Sequence, residues 1–173
     1  MTAAEVARLL DAGHAQLAEA VIALVQAAGW AVIVEYTFSH YGERGSVDIV
    51  GWHAAFRAML IVEIQTRLLD VQELLSTLDR KFRLVPQLLA RERGWTPLAV
   101  GRVVIVEESA GARRTVRSHA ATFDAALPDR AWAVRGWLAR PVGALSGLWF
   151  LSSMPGEHRN RRSERPAGRS EHA

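Results

Sequence analysis

Between residues 46 and 65 the chain reads SVDIVGW, then HAAFR, then AMLIVEIQ. Two runs of β-branched and apolar side chains joined by a five-residue turn form a β-hairpin. The second run, Ala58–Gln65, is apolar except for Glu63 and Gln65. Residues two apart in a strand share a face, so these two point the same way. Asp48 interrupts the first run, and a turn centred near Ala55 brings it opposite Glu63 to within a residue. Burying an unpaired carboxylate is costly or forces its pKa up, so two of them in an apolar hairpin call for a neutralising partner. A divalent cation is one such partner. Mg²⁺ takes one or two carboxylates and fills its remaining positions with water and substrate phosphate. With no cysteine in the chain, disulfides are excluded and any metal sits on oxygen or imidazole ligands.

The flanking segments extend the pattern. Residues 2–28 carry apolar side chains at helical spacing (Val6, Leu9, Leu10, Leu17, Val21, Leu24, Val25), with Gly13 as a candidate break and Gly29 as the stop. Glu19 lies inside this apolar stretch. Residues 30–38 read as a strand, and residues 40–45, with two glycines, as a loop. Residues 70–93 form a long helix with Asp70 as its N-cap and Gly94 at its end, and Pro86 is expected to kink or split it. Residues 98–107 form a strand whose unbroken apolar centre suits burial on both faces. A strand, a helical crossover and a strand make a βαβ unit with parallel pairing. Helical patterns follow to about Leu127 and again over residues 129–139. Residues 145–151 are a last strand or a core-covering segment. From Pro155 the composition collapses to Arg, Ser, Glu, His and Gly, which reads as a disordered basic tail after a single domain spanning residues 1–154.

The order helix, three strands, helix, strand, with Asp48, fourteen residues, then Glu63-Ile64-Gln65, resembles the PD-(D/E)XK superfamily of restriction-endonuclease-like folds. The stretches HYGERGSVDIVGWH, LIVEIQT and LDRKFRL look like those of uncharacterised actinobacterial proteins often labelled helix-turn-helix transcriptional regulators, although no helix-turn-helix is evident here. The resemblance spans roughly residues 17–150. It implies an α/β domain with an αβββαβ core, a central mixed sheet flanked by helices, and additional C-terminal helices. The long N-terminal helix is expected on one face and the helix of residues 70–93 on the other. It also implies a Mg²⁺- or Mn²⁺-dependent nuclease acting on DNA. In that reading Asp48 and Glu63 bind the metal with the Ile64 carbonyl, Glu19 acts through water or holds a ligand, and residue 65 orients the attacking water. Lysine is usual at that last position. Gln65 can hydrogen-bond a water but brings no positive charge, and losing such electrostatic stabilisation can cost ~10²–10³ in rate. The alternative is a catalytically inactive nucleic-acid-binding or interaction domain of a regulatory protein, its site degenerate at Gln65.

Each site residue also has a plainer role. Asp48 and Glu63 could be solvated on an open face of the hairpin, Glu19 a polar edge of its helix, and Gln65 a strand cap. Lys81, the sole lysine beside twenty arginines, could reach the site from the following helix, but its place in the run Asp79-Arg80-Lys81 favours a solvated position. Arg44, Arg67, Arg80, Lys81 and Arg83 are candidates for a phosphate-facing rim. His40 and His53 are read as loop and turn packing, and Trp132, Trp137 and Trp149 as core. The net charge of +3 says little about partners. With no apolar run of membrane-spanning length and no basic, apolar leader, a cytoplasmic protein without a membrane partner is expected, a homodimer being one arrangement open to it.

Overall fold

The computed structural model describes residues 2–153. Its element order is α1 (Ala3–Ala27), β1 (Ala31–His40), β2 (Glu43–His53), β3 (Ala58–Gln65), α2 (Val71–Arg93), β4 (Ala99–Glu107), α3 (Ala110–Ser118), α4 (Ala120–Ala126), α5 (Ala131–Ala139) and β5 (Leu145–Leu151). The expected αβββαβ order is present, followed by the C-terminal helices and a fifth strand. Strands lie side by side in chain order, β1 to β5. The first three pair antiparallel and the last two join in parallel, so the sheet is mixed.

The alternation of β3 divides the core in two. Ala58, Leu60, Val62 and Ile64 pack with Leu17, Val21 and Val25 of α1 and with Val134, Trp137 and Leu138 of α5. Met59 and Ile61 pack on the opposite face with Leu84, Val85 and Leu89 of α2. Further along that face, α2, α3 and α4 share a cluster built on Leu78, Val104 and Phe123. α1 and α2 therefore cover opposite faces, as expected. β4 has neighbours on both edges and its residues 103–106 are fully buried, which accounts for its continuous apolar centre.

Several local expectations are corrected. α1 runs unbroken through Gly13. α2 runs unbroken through Pro86. Pro86 has no N–H to give the carbonyl one turn back, and the Gln87 side chain donates to the neighbouring Arg83 carbonyl at 3.2 Å. Burial of Leu84, Val85 and Leu89 holds the helix together across that point. The six-residue loop expected at 40–45 is a two-residue turn, with Tyr41 at φ 46 and Gly42 at φ 83. Two successive positive φ values suit the twist of a tight hairpin, so β1 and β2 extend almost to the tip. Gly45 is needed for space and not for its φ, since a Cβ there would sit 2.7 Å from the Phe38 ring. Trp132 is 82 % exposed and is not core, whereas Trp137 and Trp149 are buried. The tail from Pro155 lies outside the described residues.

Candidate functional site

The site is built where the sheet's alternation breaks. In β1, Ile33 and Tyr36 both pack on the α2 face, and in β2 so do Val47 and Val50. Strict alternation cannot put residues three apart on one face. The pairs Val34↔Ile49 and Tyr36↔Val47 bracket the break, and Glu35 within it has φ 52, a left-handed conformation uncommon outside glycine. On its other side β2 pairs with β3 only from Ile49↔Val62 onward. Asp48 therefore stands at a fork where β2 and β3 part, one step beyond the last pair and level with Glu63.

Asp48 fills that fork. Its Oδ2 accepts the Ile64 N–H at 2.7 Å, and its Oδ1 lies 3.3 Å from His14 Nε2 on α1. N–H and C=O of one strand residue face the same neighbouring strand, so the Ile64 carbonyl also belongs to the fork. Glu63 turns to the α2 face, where its Oε1 is 2.9 Å from Lys81 Nζ. Each residue of this pair is only 6 % exposed. Lys81 is the cation that faces this buried oxygen. Burial pushes the Glu63 carboxyl up from 4.5 to about 7. Lys81 pulls it down, the Asp48 charge pushes it further up, and the Asp48 backbone N–H pulls it down. Desolvation outweighs the cation here, and the effect of Asp48 reports the closeness of the two carboxyls.

The expected residues are divided between two cavities on opposite faces. Glu63, Gln65, Arg67 and Lys81 line one of about 330 Å³ together with Asp70, Glu73 and Thr77. Asp48, Glu19, His14, Asp11 and Glu35 line another of about 440 Å³ between α1 and the break in β1 and β2. The structure thus brings Glu63 and Gln65 together on one side and Asp48 and Glu19 on the other. The two carboxylates approach through the fork and do not share one flat patch. No cluster of three or more His, Asp or Glu side chains able to hold a metal ion occurs among the described residues.

The solvated position expected for Lys81 is corrected: it is buried on Glu63. Its spacing carries the signal, because Leu74, Leu78, Lys81 and Val85 follow one another at intervals of four, three and four along the buried stripe of α2. His14, which the sequence reading passed over, likewise continues the stripe Leu10, His14, Leu17, Val21. Of the proposed rim arginines, Arg67 alone borders the Glu63 cavity. Arg83 is exposed and paired with Glu43 at 3.1 Å, Arg80 is half-buried, and Arg44 lies exposed near the hairpin tip.

No protein-family model matches the chain, and no curated protein matches it. The functional reading rests on the geometry of the fork.

Proposed function

We propose that this domain hydrolyses DNA phosphodiester bonds with a divalent metal at the fork, and that Lys81 supplies the positive charge Gln65 lacks. The observation that carries this reading is the buried Lys81–Glu63 contact at 2.9 Å, directly beside Asp48. The donors that Mg²⁺ or Mn²⁺ would take are the Asp48 and Glu63 carboxylates and the Ile64 carbonyl; the two carboxylates meet only through the fork, and Lys81 already holds Glu63 Oε1 at 2.9 Å. Mg²⁺ needs no more than one or two carboxylates from a protein, since water and phosphate complete its shell. Such an ion supplies Lewis-acid stabilisation of charge developing on a phosphate. Asp48 and Glu63 would hold it. Lys81, released from full engagement with Glu63, would face the phosphate oxygens, and Gln65 would align a water through its carboxamide. His14 and the Ile64 N–H fix the Asp48 carboxylate from either side. No described helix is long and apolar enough to cross a membrane, and we place the activity in the cytoplasm.

The test is cleavage of plasmid and single-stranded DNA in Mn²⁺ by the native chain, Glu63→Gln, Lys81→Met and Gln65→Lys, each first shown folded by circular dichroism. Cleavage by the native chain that vanishes in Glu63→Gln and drops ~10²–10³-fold in Lys81→Met is the expected result. Absence of cleavage by both the native chain and Gln65→Lys sinks the nuclease reading. One observation favours a second reading, a non-catalytic nucleic-acid-binding domain: Lys81 already compensates Glu63, so this carboxylate does not require a metal to be buried. Retained DNA binding without cleavage by any of the four proteins selects it.

A further inference from the structure

A third cavity, of about 470 Å³, opens beyond the C-terminal ends of β3 and β4. It shares Arg67, Leu68 and Leu69 with the Glu63 cavity, so the two adjoin along residues 67–69 and together make a groove from Glu63 to α3. The chemistry changes along it. The Glu63 end carries the carboxylates of Glu63, Asp70 and Glu73. The α3 end has no acidic lining residue and presents Arg67, Arg114, Thr66, Ser109, Thr115 and Ser118.

Among the described residues four arginines pair with carboxylates: Arg83 with Glu43, Arg102 with Asp79, Arg113 with Glu108 and Arg130 with Asp124. Arg67 and Arg114 make no ion pair among the described residues. Both are exposed and line the cavity. Exposed guanidinium groups match the needs of phosphodiester oxygens, which accept bidentate arginine hydrogen bonds.

We propose that this groove is a phosphodiester-strand track, in which Arg67 and Arg114 each neutralise one phosphate of a DNA strand whose adjacent phosphate lies at Glu63 and Lys81. The assignment rests on the proposed nuclease or nucleic-acid-binding reading of the neighbouring site and adds the path of the substrate. Leu68 and Leu69, the latter 79 % exposed, line both cavities where the strand passes from one to the next. The track positions the backbone and carries no base recognition, so binding is independent of sequence and steeply dependent on salt.

The test separates binding from cleavage. Fluorescence anisotropy of a labelled 12-nucleotide single strand and of its blunt duplex is followed with the full native chain in EDTA, across a salt series. The same titrations are run on Arg67→Ala/Arg114→Ala and on Arg140→Ala, which removes one exposed arginine on the α5 side. The track predicts at least tenfold weaker binding for the double variant, in one or both arms. For the single strand its salt slope falls by ~1.4, which is two phosphate contacts at ~0.7 each. Arg140→Ala stays within twofold of native. Loss confined to the single-strand arm identifies a free strand as the ligand; loss in both identifies the backbone of either. Unchanged binding by the double variant, or an equal loss in Arg140→Ala, overturns the track. Because EDTA silences metal-dependent cleavage, a native chain that fails to cut in Mn²⁺ leaves this result intact, and a chain that cuts without needing Arg67 and Arg114 leaves the nuclease reading intact.

Discussion

At the scale of single residues, the Glu63–Lys81 pair sets the character of the site. A carboxyl held up at about 7 binds its proton more tightly folded than unfolded. Below pH 4.5 both states are protonated and no penalty arises. Between 4.5 and 7 the folded state holds more protons, so Glu63 makes stability fall as pH rises through that window, by at most on the order of 3 kcal/mol. Urea denaturation of the metal-free protein at pH 5 and pH 7.5 is expected to reveal this fall when compared with Glu63→Gln/Lys81→Met, which removes both buried charges and keeps their bulk. An equal pH response of the two proteins would show that Glu63 ionises freely. The same double change is expected to cost far less than Lys81→Met alone, because breaking a buried pair strands a charge whereas removing both partners does not.

At the scale of elements, α2 makes this pairing possible. Asp70 caps it by accepting the Glu73 N–H at 2.9 Å, and Gly94 closes it at φ 69. Both ends were legible in the sequence, because capping is local chemistry between residues a few positions apart. Asp70→Ala is expected to cost ~1 kcal/mol, read as a lower urea midpoint with an unchanged m-value. The strands of the first hairpin were legible only in part, since residues 40–45 read as a loop and not as a two-residue turn, and the break at Glu35 and Asp48 was not legible. No residue there has the signature of a positive φ, and the conformation persists because Tyr36, Phe38 and Val47 on one side and Ile33 and Val50 on the other each need the α2 face.

At the scale of the whole molecule, the fork depends on how the sheet is assembled. β2 approaches β3 from one edge and β4 lies parallel on the other, so Asp48 can close the gap only by inserting its side chain against the Ile64 N–H. A divalent ion held there binds the folded state alone and must raise stability, by ~2.7 kcal/mol at a hundredfold excess over Kd. Thermal unfolding is expected to shift upward with Mn²⁺ in the native protein and to lose that shift in Asp48→Asn. A melting temperature indifferent to Mn²⁺ and Mg²⁺ in both would count against metal chemistry and in favour of the binding module.

Periodicity and turn chemistry along the chain determined the α/β class, the order of the elements, most of their ends and the presence of Asp48 and Glu63 in one hairpin, because these properties are set by residues within a turn or a strand of one another. Tertiary structure alone decided the rest. The β-hairpin and α2 are separate in sequence, so the burial of Lys81 against Glu63 arises only when the α2 stripe packs on the face toward which Glu63 points. The contact of His14 with Asp48 needs α1 on the opposite face. The division of the carboxylates between two cavities follows from a break in alternation imposed by both layers of the core, for which no local stretch of sequence carries the physical cause.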